Sequence, residues 1–201
     1  PALRKGGQAI DLRGVATQLA RQMGIYDDIC QQRTRIKVGH QVDQSGKILS
    51  SFSGETFGFR QDEEVEILRG DLIDILFSTI PEISCTFNQA IISISQNDTK
   101  VLVTFSDQRV EEFDLVIGAD GIYSTIRRLV FNPNDYEFKS LGAFISTFTI
   151  PNYLNLKQTA FDCEAEHKLI TLNSDHDPNT ALAGFMFRST ETWNNTRDEQ
   201  E

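Results

Sequence analysis

The sequence predicts an α/β protein in which a strand-rich segment follows a segment of mixed helices and strands. Apolar residues recur at helical spacing over residues 12–23 and again over residues 70–79, which predicts two helices. From residue 84 onward, apolar and polar residues alternate at a period of two, which predicts strands. Both periods in one chain of 201 residues indicate helices packed on sheets.

Composition and charge exclude several classes of function. Hydrophobic residues make up 39% of the chain, so most of it is expected to fold. The 19 basic and 29 acidic residues give a net charge of −10, which opposes binding to nucleic acid or to an anionic membrane. No apolar run approaches the roughly 20 residues of a membrane span, and the first residues lack the apolar stretch of a signal peptide. Three widely spaced cysteines without a CxxC motif favour free thiols in the cytoplasm.

The first predicted helix, over residues 12–23, follows a loop at residues 1–10. Val15, Leu19 and Met23 recur every four residues and form one apolar helix face. Gly24 stands where a residue in the left-handed conformation ends a helix.

The next predicted elements are a hairpin and a three-strand meander. Residues 36–38 and 48–49 flank a polar turn at residues 43–46, which predicts the hairpin. A polar loop is expected at residues 53–63. The apolar run at residues 115–117 is typical of a strand buried on both faces. The meander strands are expected at residues 90–95, 101–105 and 110–113.

The segment after residue 140 is rich in phenylalanine and in predicted strands. We place a domain boundary near Pro133. The phenylalanines line an aromatic-substrate pocket or form the core between sheets, and alternation puts about half on each face. The predicted strands are at residues 142–150, 160–164, 169–172 and 181–188.

The sharpest signal for a binding site is the turn Gly-Ala-Asp-Gly at residues 118–121, directly after the apolar run. Gly118 and Gly121 permit positive φ angles and close approach of a ligand to the backbone. Ser124 is placed to cap the short helix that follows. Asp120 offers acceptor oxygens to hydroxyl groups such as those of a ribose, or it satisfies its own turn.

Three segments carry a further signal. They are residues 3–14, with Leu-Arg-Lys-Gly-Gly, residues 68–72, Leu-Arg-Gly-Asp-Leu, and the turn at residues 118–121 with Ser124 and Arg127. In these segments and in their order along the chain, the sequence resembles the FAD-dependent monooxygenases of the p-hydroxybenzoate hydroxylase type, including the relatives that inactivate tetracyclines. The resemblance implies an incomplete FAD/NAD(P)-binding domain, Rossmann-like and of the glutathione-reductase type, with a β-rich substrate domain.

The resemblance also implies how the chain is divided. Residues 1–135 correspond to part of the FAD-binding domain and residues 136–201 to part of the substrate domain. The family's Gly-x-Gly-x-x-Gly motif and its later Gly-Asp motif are not found in this sequence. We therefore expect an internal fragment that, alone, is inactive and binds FAD weakly or not at all.

The resemblance assigns roles to individual cofactor residues. Arg69 reaches the flavin side of FAD or its pyrophosphate, and Arg4 lies near the isoalloxazine ring. Arg127 holds the loop or meets the phosphate of the nicotinamide cofactor. From the residues alone, Arg69 is equally a solvated arginine at a helix start, and Arg127 pairs with Asp120 or with a helix end. The implied cofactor-binding residues are Arg4, Arg69, Gly118, Asp120, Gly121 and Arg127.

For the substrate, the resemblance points to Thr147 and Ala183, which fall where the tetracycline-modifying relatives place polar contacts. Both side chains are small and make few hydrogen bonds, which argues against tetracycline. Phe185 is the phenylalanine that we expect in the substrate pocket.

The function implied is that of an oxidoreductase, a flavoprotein monooxygenase. It uses FAD, NADPH or NADH, and O2 to oxygenate a small organic substrate, aromatic or polycyclic. Because the flavin does the chemistry, no catalytic side chain is expected. The spacing of the three histidines matches no metal-binding motif. The alternatives are another redox flavoprotein of this fold, a prenyl reductase or halogenase, or a non-catalytic binding module that has lost FAD.

Overall fold

The computed structural model describes residue 3 and residues 7–54, 63–174 and 176–189. Within these ranges the chain forms two compact units. The large unit comprises residues 3–82 and 140–189, and the small unit comprises residues 83–139. The helices and strands of the large unit are β1 (Ala9–Leu12), α1 (Val15–Gln22), α2 (Tyr26–Gln31), β2 (Val38–Val42), β3 (Ile48–Ser53), β4 (Val65–Leu68), α3 (Arg69–Ser78), β8 (Ala143–Pro151), β9 (Thr159–Ala165), β10 (Lys168–Ser174) and β11 (Thr180–Arg188). Those of the small unit are β5 (Ile91–Gln96), β6 (Val101–Phe105), β7 (Val110–Phe113) and α4 (Thr125–Val130).

One core of the large unit lies between a two-stranded sheet and three helices. β1 and β4 pair antiparallel, and β4 leads directly into α3. Ile29 of α2 and Ile67 of β4 are fully buried, so this contact excludes water. The buried residues of this core are Leu12, Ala20, Ile25, Ile29, Val65, Ile67 and Ile75.

The larger sheet of this unit has six strands in the order β3-β2-β9-β10-β11-β8. All neighbours are antiparallel except β2 and β9. The predicted hairpin and the four predicted strands after residue 140 are confirmed, and the parallel contact joins them in one sheet. The assignment of residues 1–135 and 136–201 to two functional domains stays a prediction.

The first helix differs from its prediction. Residues 9–12, expected as a loop and a helix start, form β1, and α1 begins at Val15. The predicted apolar face points outward, since Val15 is 77% exposed and Leu19 is 52% exposed. Thr17 and Ala20 are buried instead, because their small side chains let the helix approach the core closely. The helix end is confirmed, with Gly24 at φ +73°.

In the small unit the predicted meander is confirmed as the sheet β5-β6-β7. The prediction of a buried strand at residues 115–117 is wrong. These residues form no strand, and Leu115 and Ile117 are 72% and 78% exposed. A strand needs a neighbour for its backbone N–H and C=O groups, and none of the strands in the described ranges pairs with this segment.

Candidate functional site

A cavity of about 420 Å³ lies in the large unit, between the six-stranded sheet and the segments around β1 and β4. This volume is within the range of small-molecule sites, about 300–1,000 Å³. The sheet contributes Thr147, Thr171, Asn173, Leu182, Ala183 and Gly184. The facing segments contribute Gln8, Ala9, Thr34, Arg35, Glu66 and Leu68.

The floor of the cavity follows from strand register. Thr147, Gly184, Thr171 and Asp162 lie side by side on β8, β11, β10 and β9, so their positions share one face of the sheet. Gly184 is required in this row, because a Cβ there would lie 2.5 Å from Thr171 Oγ1. The missing side chain leaves room between the two threonines.

Two acceptor atoms on this face have no hydrogen-bond partner among the described residues. They are Oδ1 of Asn173 and Oδ1 of Asp162, and both atoms are buried. Burial raises the pKa of the Asp162 carboxyl above its ordinary value. Buried polar atoms are nearly always paired with protein, water or a ligand, so these two mark places where a further donor fits.

The facing wall of the cavity carries charged groups. The Thr34 hydroxyl donates to the Glu66 carboxylate, and Thr34 N donates to Glu66 O at 2.8 Å. His176, another lining residue, lies 3.4 Å from the Asp71 carboxylate. Arg35 also lines the cavity, with an exposed side chain. The wall therefore holds both signs of charge, whereas the sheet floor holds buried acceptors.

Of the predicted substrate residues, Thr147 and Ala183 both line this cavity. Phe185 is not among the lining residues; its ring stacks on that of Phe148, with ring centroids 5.7 Å apart. The contact of each with a substrate stays a prediction. Sequence analysis missed both Thr171 and Asn173, which are two positions apart on β10 and therefore share one strand face.

Arg69, the first residue of α3, lies against the backbone of Gly7. Gly7 has φ +114°, and a Cβ there would lie 2.8 Å from Arg69 Nε. Glycine is therefore needed both for the backbone angle and for the close approach of the guanidinium. Nε of Arg69 is buried and has no hydrogen-bond partner within the described ranges. Arg4, the other arginine predicted near the flavin, lies outside the described residues.

The turn at residues 118–121 is built as a helix start. Asp120 accepts hydrogen bonds from the Ser124 hydroxyl at 2.5 Å and from the backbone N–H groups of Thr125 at 2.6 Å and Ile126 at 3.1 Å. Ser124 Oγ accepts from Arg127 N at 2.9 Å, which confirms the predicted cap. These bonds favour the charged form, with the Ser124 bond the largest cause, and lower the pKa of Asp120.

Arg127 of α4 is held inside the small unit. Its guanidinium donates to the Ile122 carbonyl and lies over the rings of Tyr136 and Phe138, 5.2 Å from each centroid. Its Nε is buried without a hydrogen-bond partner in the part of the chain that the structure describes. The small unit thus brings Gly118, Asp120, Gly121 and Arg127 into one short segment, while Arg69 belongs to the large unit.

Two structural features are absent from the described ranges. No helix there combines the length and the apolar composition needed to cross a membrane. The same residues form no group of three His, Cys, Asp or Glu side chains that could hold a metal ion.

Comparison with known proteins identifies the relatives of this chain. No family model matches it. It is 60% identical over 200 residues to a flavin-dependent monooxygenase of Legionella longbeachae serogroup 1 (strain NSW150), a match that covers 100% of this chain and 51% of that protein. A flavin-dependent monooxygenase of an unknown prokaryotic organism is 56% identical over 200 residues, covering 100% of this chain and 52% of that protein. The chain is homologous to flavin-dependent monooxygenases.

The solved structures agree with this homology. The crystal structure of tetracycline destructase Tet(51) superimposes with a TM-score of 0.88 at 48% identity, covering 98% of this chain and 51% of that one. CtdE in complex with FAD superimposes with a TM-score of 0.72 at 16% identity, covering 98% and 53%, which shows a shared fold. The chain spans about half the length of the curated relatives that it matches.

Proposed function

We propose that this chain is part of an enzyme that holds FAD, takes electrons from NADPH or NADH, and uses O2 to oxygenate a small organic substrate. The observation that carries the proposal is the homology to flavin-dependent monooxygenases along the whole chain. The cavity supports it, because its volume suits an aromatic or polycyclic molecule.

The surroundings of Arg69 fit FAD. Nε of Arg69 is a donor without a partner among the described residues, and a phosphate or a flavin carbonyl offers an acceptor for it. Because Gly7 has no side chain, its backbone can lie close to the guanidinium of Arg69. When bound, FAD supplies the redox chemistry and the activated oxygen, and the protein binds and orients it. Arg69 would fix the cofactor through a charge-assisted hydrogen bond.

The turn of the small unit is proposed to contact FAD or the nicotinamide cofactor through Gly118, Asp120, Gly121 and Arg127. An ionised carboxylate has about four acceptor positions. Three donors within the chain already use the Asp120 carboxylate. We therefore propose that Asp120 first fixes the shape of the turn and has room for one cofactor hydroxyl.

The substrate is proposed to lie over the sheet floor, against Thr147 and Ala183. Thr147 has a small side chain and stands opposite Gly184, which has none, so this part of the floor leaves space for a ring system; Ala183 is the adjacent lining position of β11. Phe185 remains proposed as an aromatic contact. We place the enzyme in the cytoplasm, in keeping with the free thiols of Cys30, Cys85 and Cys163.

The test is to express the complete open reading frame that encodes this chain and to record the absorption spectrum of the purified protein. We expect retained flavin and oxidation of NADPH or NADH that is stimulated by phenolic or polycyclic compounds. Colourless protein that takes up no added FAD would refute the proposal. Residues 1–201 expressed alone are expected to lose FAD on dialysis.

A pair of variants tests the role of Arg69. Arg69→Met should weaken FAD binding about 10- to 100-fold, the range for a lost hydrogen bond to a charged group. Arg109→Met is the matched control, because Arg109 pairs with Glu111 on the surface, at 2.8 Å. Equal FAD dissociation constants for the two variants, measured by flavin fluorescence, would remove Arg69 from the proposed site.

A further inference from the structure

Two buried acceptors without partners among the described residues lie close together on the sheet face that forms the cavity floor. Asp162 of β9 stands directly opposite Thr171 of β10, and Asn173 follows Thr171 by two residues. Cross-strand diagonal neighbours of this kind have Cα atoms about 7–8 Å apart on the same face. The cavity meets this face at Asn173, and Asp162 lies one diagonal step away on the same face.

Asn173 is itself a lining residue of the cavity, and Asp162 adjoins the lining residue Thr171. The Oδ1 atom of each is buried and has no hydrogen-bond partner in the described ranges. The residues opposite Asn173 on the neighbouring strands are Ala160 and Leu182, neither of which has a side-chain donor. Because no side-chain donor stands opposite Asn173, its Oδ1 atom favours a guest that brings a donor.

Resting on the function proposed above, we infer that this cavity selects substrates that present a hydrogen-bond donor, a hydroxyl or an ammonium group, to Asn173 and Asp162. A carboxylate in the same position would place its oxygens against two unpaired acceptor atoms, Oδ1 of Asn173 and Oδ1 of Asp162, and an acceptor does not hydrogen-bond to another acceptor. The burial that raises the Asp162 pKa also indicates that no cation of the described chain compensates this carboxyl.

The charged residues on the facing wall of the cavity could favour a different ligand. Arg35 is a cation that could attract a carboxylate, but its side chain is exposed, where water weakens ionic attraction. Glu66 and His176 are the other titratable lining residues, and each is already engaged, by Thr34 and by Asp71. The buried floor should therefore decide which ligand is preferred, and the exposed wall should contribute less.

The experiment uses the flavin-loaded enzyme from the complete open reading frame and three probes with the same ring system. The probes are 1-naphthylmethylamine, 1-naphthalenemethanol and 1-naphthoate, and binding is measured by calorimetry. We expect the amine and the alcohol to bind at least about tenfold more tightly than the carboxylate, a difference of about 1.4 kcal/mol.

Variants of Asn173 and Asp162 test whether these floor residues cause the preference for ligands with a hydrogen-bond donor. Asn173→Leu, which removes the acceptor but keeps a side chain of similar length, should abolish most of the preference, and Asp162→Asn should reduce binding of the amine more than that of the alcohol. Asn173→Asp keeps an acceptor and should keep the preference for the amine, which covers the case in which the leucine variant does not fold. Asn134→Leu, at an exposed position of the small unit, is the matched control and should bind all three probes as the parent does.

The outcomes separate this inference from the proposed function. Protein without flavin contradicts the proposed function. Flavin-loaded enzyme that binds none of the probes, or prefers the carboxylate, or binds all three alike because water satisfies the floor, overturns the inference alone. A donor preference that survives in a folded Asn173→Leu variant also overturns it.

Discussion

Gly184→Ala tests the close packing of the cavity floor. The new Cβ would lie 2.5 Å from Thr171 Oγ1, whereas real Cβ atoms essentially never approach a neighbour closer than 3.0 Å. Relieving such an overlap in a packed region costs about 1–3 kcal/mol. Replacing glycine also removes freedom from the unfolded chain, which offsets about 0.4–1 kcal/mol of that cost. We expect a net loss of about 1–2 kcal/mol of unfolding free energy, measured by urea denaturation.

Thr171→Ala supplies the decisive second change, because it removes the hydroxyl oxygen that the added methyl group at position 184 would strike. The double variant should be more stable than the sum of the two single effects by about 1 kcal/mol or more. Gly39→Ala is the matched control: its Cβ would lie 2.2 Å from the Phe52 ring, so Thr171→Ala should not rescue it. A Gly184→Ala variant as stable as the parent, or rescue of both glycine variants alike, would refute this account of the floor.

Three other changes test the cap, the buried carboxyl and the exposed helix face. Ser124→Ala removes the acceptor for Arg127 N and a donor to Asp120, so it should cost about 1 kcal/mol and speed amide hydrogen exchange in α4; unchanged exchange would contradict the cap. Burial raises the pKa of Asp162, so the folded chain holds this proton more tightly than the unfolded chain, and stability falls as pH rises from the ordinary value of 3.8 through the folded value. Asp162→Asn should therefore stabilise the chain near neutral pH and lose that advantage below about pH 3.8, in urea titrations at both values. Val15→Lys should change the unfolding free energy of residues 1–201 by less than about 0.5 kcal/mol, because Val15 is 77% exposed; a loss above about 1 kcal/mol would show that its face is covered.

Alternation of polar and apolar residues was sufficient to predict most strands. In β5, for example, Ile92 and Ile94 alternate with Ser93 and Ser95, so the period of two is visible in the sequence. The helix α2 and the strand β4 were not predicted. α2 is only six residues long and β4 only four, too short for a period to be recognised.

Two local patterns were misleading because a periodic pattern does not identify the partner surface. The apolar face of α1 is genuine, but the core contacts the side with Thr17 and Ala20. The apolar run at residues 115–117 has the composition of a buried strand, but a sheet also needs neighbouring strands, and none of those described pairs with it. The composition of a segment indicates that it favours burial, but it does not show which surface would bury it.

In the candidate site, too, some residues could be predicted from local sequence and others depend on contacts between distant segments. Ser124 and Asp120 act through bonds to residues nearby in sequence, so these local roles could be predicted. Asn173 and Asp162 gain their importance from register across three strands, which brings them beside Thr171 and Gly184. That register depends on contacts between distant segments, which sequence periodicity does not specify.

The parallel contact between β2 and β9 has a consequence for how the chain reaches its native state. Val38 is matched with Thr159, about 120 residues later, and all other neighbours in this sheet are antiparallel. During synthesis the hydrogen-bonding edge of β2 that pairs with β9 stays unpaired until the residues of β9 have been synthesised. Closing so long a loop costs conformational entropy, so we expect this pairing to form late and the free edge of β2 to stay open to other strands until then.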